Sequence, residues 1–208
     1  MKPFTFPNTS ELHPISPMHT EIAASVLSRA FSAYPLVNYL FVNATAQQRS
    51  ALPWLVEAMI KSHLVRRWPV LGAWSEEKLV GAAVISSPDD RVSRQEADLF
   101  FNGIEQMIGT QAASRFDAYS NLCNAGLPTW PHHYLGILGV DPDYRGRHHG
   151  RALIAAAQAL AAQDPQSEGI VLNTESPDNL TYYEQAGFQT LHSKRFDSIT
   201  TWTMTWHE

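Results

Sequence analysis

Hydrophobic positions change their spacing along the chain, and the changes divide it into elements. Prolines at 3, 7, 14 and 17 make the opening stretch a poor helix. Beyond it Ile22, Val26, Leu27 and Phe31 fall on one helical face, with Thr20 as the predicted cap and an end near Tyr34-Pro35. The same period recurs over 46–67 through Leu52, Leu55, Val56, Met59 and Ile60, provided that Pro53 sits in the first turn. Two strands are predicted at 70–74 and 79–86, and Ser75-Glu76-Glu77-Lys78 separates them at hairpin spacing.

Helical spacing returns over 93–124, broken at Gly103 or Gly109, and Gly126-Leu127-Pro128 forces a loop. A strand at 132–140, a turn at Asp141-Pro142-Asp143, a helix at 150–163 and a strand at 169–174 follow. That helix turns Leu153, Ile154, Ala157, Leu160 and Ala161 inward, and a crossover of its length makes the flanking strands parallel. After a short helix at 179–185, strands at 188–195 and 199–206 close the chain as an antiparallel pair. In the last strand Trp202, Met204 and Trp206 alternate with Thr201, Thr203 and Thr205. The order predicts a mixed α/β (α+β) fold, antiparallel at both ends of its sheet, in one domain spanning 1–208.

Composition narrows the classes. With 44% hydrophobic and 17% charged residues in 208, the chain suits a soluble globular protein with a sizeable core. A net charge of -5 offers no broad cationic field for nucleic acid or an acidic membrane. No apolar run reaches the roughly 18 residues of a membrane span, and the N-terminus lacks a signal-peptide core. Cys123 is the single cysteine, so neither an internal disulfide nor a cysteine-rich zinc cluster can form. A reducing cytoplasm is the expected setting, with Cys123 a small buried hydrophobe rather than a nucleophile.

Between strand 132–140 and the following helix lies Tyr144-Arg145-Gly146-Arg147-His148-His149-Gly150-Arg151. Unpaired amides and the positive helix end converge there, glycine lets the backbone approach an anion, and three arginines add charge. The expected guest is small and phosphorylated. Neither a Walker loop nor G-x-G-x-x-G is present, which argues against kinases and NAD enzymes. The two His-His pairs lack a coherent ligand spacing, so no metal is expected.

The segment from Val140 to Ile154 resembles the coenzyme A loop of the GNAT N-acetyltransferase superfamily. Val140, Pro142, Arg145, Gly146, Gly150 and Leu153 match V-x-P-x-x-R-G-x-G-x-G-x-x-L in register, with His148 where glycine is usual. A formal match beginning at Arg147 shifts Val140 and Leu153 by two residues, so the register from Arg145 is preferred. A second match runs from Leu172 through Asn179 and Tyr183 to Gly187-Phe188, and 133–204 resembles the puromycin N-acetyltransferase type most.

The resemblance implies a mostly antiparallel sheet of about seven strands with helices on both faces. It also implies acetyl-coenzyme A as cosubstrate and acetyl transfer to a primary amine of a small molecule, in a monomer or homodimer. It assigns cofactor contacts to Leu138, Gly139, Val140, Arg145, Gly146, Arg147, His148, His149, Gly150, Arg151, Asn179 and Tyr183, with Tyr183 as general acid. If position 148 needs positive φ, histidine pays a cost glycine avoids; alternatively its ring donates to a phosphate.

Acyl transfer needs a neutral amine. An alkylamine of pKa about 10 is about 0.1% neutral at pH 7, a penalty of roughly 4 kcal/mol, so a base is expected. The candidates are His132 and His133, which precede the strand leading to the thioester, and Glu175 at the end of the next strand. Phe31, Tyr34, Tyr39, Phe41 and Trp130 are possible, unranked walls of an amine pocket. A non-catalytic acyl-coenzyme A sensor and an enzyme acting on protein or peptide amines are the alternatives.

Overall fold

The computed structural model describes residues 11–88 and 103–207. Seven strands form one sheet: β1 (Glu11–Pro14), β2 (Val70–Ser75), β3 (Lys78–Ser86), β4 (His133–Val140), β5 (Ile170–Thr174), β6 (Gln189–Phe196) and β7 (Ile199–Trp206). Their order is β1-β2-β3-β4-β5-β7-β6. Every neighbouring pair is antiparallel except β4 and β5, as the helix-length crossover predicted. β1 escapes the sequence pattern because only pairing with β2 defines its four residues.

The helices differ from the sequence expectation in detail. α1 (Thr20–Phe31) begins one residue after its cap, which is His19; the Thr20 hydroxyl donates to the Pro17 carbonyl instead. Ala23, Ala24 and Leu27 are its most buried side chains, whereas Ile22 is half exposed. The single predicted helix over 46–67 is two, α3 (Ala46–Arg49) and α4 (Leu52–Val65). Thr45 and Gln48 close a reciprocal capping box on α3, and Pro53 lies in the first turn of α4. Between α1 and α3 lies α2 (Pro35–Leu40), where the sequence predicted only an ending. The hairpin turn is tighter than expected, with Glu76 and Glu77 both at positive φ.

Residues 93–102 of the predicted long helix lie outside the described residues. The break falls at Gly109 (φ 84), between a helical stretch at 103–108 and α5 (Thr110–Asn124). α6 (His149–Gln163) and α7 (Pro177–Glu184) match expectation within a residue or two. α6 buries Leu153, Ile154, Ala156, Ala157 and Ala161 against one face of the sheet, while α1, α2, α4 and α5 contribute to the cluster on the other. Among the described residues no helix is long and apolar enough to cross a membrane.

Two features of the sheet position the site. β4 and β5 pair only at His133↔Ile170 and Tyr134↔Val171, then part. The β3–β4 register also shifts beside Val84 and Ile85, leaving Gly136 as the extra residue of a bulge. In β7 the threonine face is buried rather than solvated, because Thr201 and Thr203 bond polar groups reaching from β5.

Candidate active site

A cavity of about 700 Å³ opens where β4 leaves β5. Leu138, Gly139 and Val140 form one wall with their edge toward β5 unpaired by that strand, while their other edge pairs with β3. Residues 29–35, from the end of α1 to the start of α2, form the opposite wall. That wall packs close only because position 139 is glycine: a Cβ there would meet Ala30, Leu27 and Phe31, each at 3.0 Å. The third wall is the Pro142–Arg151 loop, and Ser176, Asp178, Asn179 and Tyr182 close the fourth.

The loop carries its donors toward the cavity. Gly146 (φ 76) and His148 (φ 64) are both left-handed, and His148 is the N-cap of α6 with no side-chain capping bond. The histidine at the usual glycine position thus adopts the backbone conformation glycine favours. Among the described residues, the amides of Gly146, Arg147, His148, Gly150 and Arg151 find no protein acceptor. A Cβ on Gly150 would lie 2.5 Å from the Tyr182 hydroxyl, so glycine keeps this cradle open. The glycine cradle, the unsatisfied amides and the positive helix end fit a pyrophosphate.

The arginines divide their work. Arg29 pairs with Asp143 at 2.7 Å and lies 3.4 Å from Asp141, tying α1 to the loop. Arg145 donates to the Ala30 carbonyl at 3.1 Å, and Arg151 donates to Gln185 at 2.8 Å. Arg147 lies against the Tyr144 ring, 5.1 Å from its centroid. Burial, with Arg147 nearby, pushes His149 below the usual histidine range and favours its neutral form.

Where β4 and β5 separate, a buried polar cluster borders the cavity. Glu175 is 5% exposed; its Oε1 accepts bonds from Tyr119 at 2.5 Å and Thr201 at 2.8 Å. Its backbone N–H donates to the Tyr34 hydroxyl oxygen at 2.9 Å, and Tyr34 also bonds Thr174 Oγ1 at 2.9 Å. Asn179 donates to that same Thr174 hydroxyl at 3.2 Å. Tyr134 donates to Asn173, which in turn donates to Thr203 and Thr201. Burial raises the Glu175 carboxyl above its ordinary value, against the lowering effect of these bonds, and raises Tyr34 and Tyr183 as well.

The two adjacent tyrosines occupy different places. Tyr182 lines the cavity over Gly150, whereas Tyr183 lies beneath it in the core against Phe188, at a ring separation of 5.7 Å. Tyr183 is nevertheless within electrostatic reach of Glu175, Tyr34 and Tyr134. His133 sits at the opposite end of β4 from the loop, 3.0 Å from Ser167 and 3.5 Å from Asp164. His132 turns toward the Trp130 carbonyl at 2.7 Å. Neither histidine lines the cavity. Tyr34, unranked in the sequence, joins the cavity wall to Glu175; its partner lies 141 positions away, a separation no local pattern reveals. Phe31 lines the cavity, whereas Tyr39 and Phe41 are core and Trp130 stacks with His132 and His207.

The sequence profile of the acetyltransferase (GNAT) domain matches residues 102–190, a span that includes the strand separation, the loop and the Tyr183 segment. Residues 102–190 are thus similar to a GNAT acetyltransferase domain. No curated protein sequence matches it. Solved structures share the fold over nearly the whole chain. The histone acetyltransferase HPA2 and related acetyltransferase from Corynebacterium glutamicum superposes with a TM-score of 0.72 at 21% identity, over 95% of this chain and 96% of that one. The arylalkylamine N-acetyltransferase 2 from Aedes aegypti gives 0.69 at 16% identity, over 95% and 98%. The polyamine N-acetyltransferase of Drosophila melanogaster gives 0.63 at 15%, over 96% and 100%.

Proposed function

We propose that this acyltransferase moves an acetyl group from acetyl-coenzyme A to a primary amine of a small molecule. The observation that carries the reading is one cavity that joins the cradle at Gly146–Arg151 to the open edge of β4, with Tyr34 on its wall bonded to the buried Glu175 behind it. The small-amine acceptor is supported by the puromycin-type resemblance of 133–204 and by neighbours of the same fold that are amine acetyltransferases.

Acetyl-coenzyme A supplies an acetyl group activated as a thioester. The loop amides and the α6 N-terminus hold its pyrophosphate, and the free edge of β4 at Leu138–Val140 orients the pantetheine arm and polarises the carbonyl. Asn179 stays beside this path through its bond to Thr174. Glu175 accepts the proton of the incoming ammonium; its raised pKa brings it closer to neutrality, where a base is most useful. Tyr183, which the family resemblance sets near the coenzyme sulfur, protonates the departing thiolate, whereas the Tyr182 hydroxyl lies over the pyrophosphate cradle. His133 has no part in this chemistry, given its place at the far end of β4.

Mass-spectrometric detection of acetylated product across a panel of primary amines tests the proposal, with Tyr183→Phe and Tyr182→Phe compared. The expected outcome is amine-dependent product that Tyr183→Phe reduces about 10²-fold or more and Tyr182→Phe reduces less. No product from any amine, despite coenzyme A binding, would favour the sensor alternative.

A further inference from the structure

Tyr119 and Thr201 reach Glu175 from different elements and bond the same atom. Tyr119, on α5, donates to Oε1 at 2.5 Å, and Thr201, on β7, donates to it at 2.8 Å. Both bonds fall on Oε1, so neither engages Oε2. Tyr119 is itself held in place: it is buried, and its ring meets Phe196 edge-on at 6.2 Å. The thiol of Cys123, one helical turn further along α5, interacts with the hydroxyls of both Tyr119 and Thr201. Burial pushes that thiol up to about 11, so it stays an S–H at neutral pH and adds no negative charge beside Glu175.

A carboxylate removed from water favours its protonated form, and burial is the largest influence on Glu175. A base already protonated accepts nothing. Hydrogen bonds donated to the ionised form oppose the effect of burial, and those from Tyr119 and Thr201 are the foremost of them. Resting on the reading of Glu175 as the base, we infer that Tyr119 and Thr201 are positioning residues, which hold the carboxylate by Oε1 and leave Oε2 to take the proton of the incoming ammonium. The ammonium N–H bond breaks as an O–H bond forms at Oε2, while both clamping hydrogens keep their places on the hydroxyls. Donors from two elements also fix the direction in which the carboxyl points. α5 lines neither the cavity nor its cradle, and acts on the reaction only through this carboxyl. Among the described residues, the other titratable groups facing Glu175 are Tyr34, Tyr134, Tyr183 and Cys123, and burial keeps each of them neutral near pH 7.

The pH dependence of kcat/KM for a primary alkylamine tests this in the wild-type protein, Tyr119→Phe, Thr201→Val, Thr201→Ser and Glu175→Gln. Its acidic limb reports the base of the free enzyme. Loss of either donor should move that limb up by about 1 pH unit, whereas Thr201→Ser, which keeps a hydroxyl, should leave the limb where the wild type has it. Should Tyr119→Phe fail to fold, the Thr201→Val and Thr201→Ser pair decides. A limb left in place by Tyr119→Phe or Thr201→Val, with Glu175→Gln nearly inactive, would overturn the clamp while the base stands. Wild-type rates in Glu175→Gln, or no turnover by the wild type, would remove the base and the clamp together.

Discussion

His148 shows how one residue can carry strain for a site. At φ 64 it caps α6 without a side-chain bond, so glycine there should relieve backbone strain at no loss of capping. We expect His148→Gly to stabilise the protein by about 0.5–1 kcal/mol, raising Tm by roughly 1–4 °C. A lower Tm by differential scanning calorimetry would mean that the imidazole itself holds the loop. Glu175 is the second such residue. Its folded-state pKa is raised, so its contribution to stability is fully present below the unfolded value and is lost as pH rises through the folded one. Glu175→Gln should therefore gain in Tm relative to wild type as pH increases, while losing about 10²-fold or more in amine acetylation. A Tm difference independent of pH would contradict the buried, protonation-favouring environment described for this carboxyl.

At the scale of elements, the separation of β4 from β5 opens a cavity in the sheet, and Tyr34 fastens its far side. The Tyr34 hydroxyl joins the α1–α2 connection to the end of β5 through Glu175 N–H and Thr174. Removing it in Tyr34→Phe strands a donor, at a cost of about 1–3 kcal/mol, or a Tm lowered by about 2–4 °C for each kcal/mol. An unchanged Tm would show that water replaces the phenol. The strands and helices themselves were largely legible in sequence, because period two and period 3.6 are properties of neighbouring residues: 199–206 was read without error as β7. Splits and caps were less so. The break between α3 and α4 at Ser50-Ala51 interrupts the apolar period only briefly, and Thr20 resembles a cap although its hydroxyl turns back to Pro17.

Across the whole molecule, the glycine- and arginine-rich loop was more legible in the sequence than the polar cluster beside it. The loop is contiguous, and its glycines and arginines carry their meaning in their spacing. The Tyr34–Glu175–Tyr119 cluster is assembled from α5, β5 and the α1–α2 connection, so its members share no local pattern. His133 stood out by its chemistry, yet folding sends the start of β4 away from the loop. The cradle around Gly150 is the proposed seat of the coenzyme A pyrophosphate, and a side chain at 150 would run into the Tyr182 hydroxyl that overhangs it. Isothermal titration of coenzyme A into wild-type protein and Gly150→Trp tests it most directly. The wild type should show saturable one-site binding and a folded Gly150→Trp variant none; equal affinity in the two would overturn the assignment of this cradle.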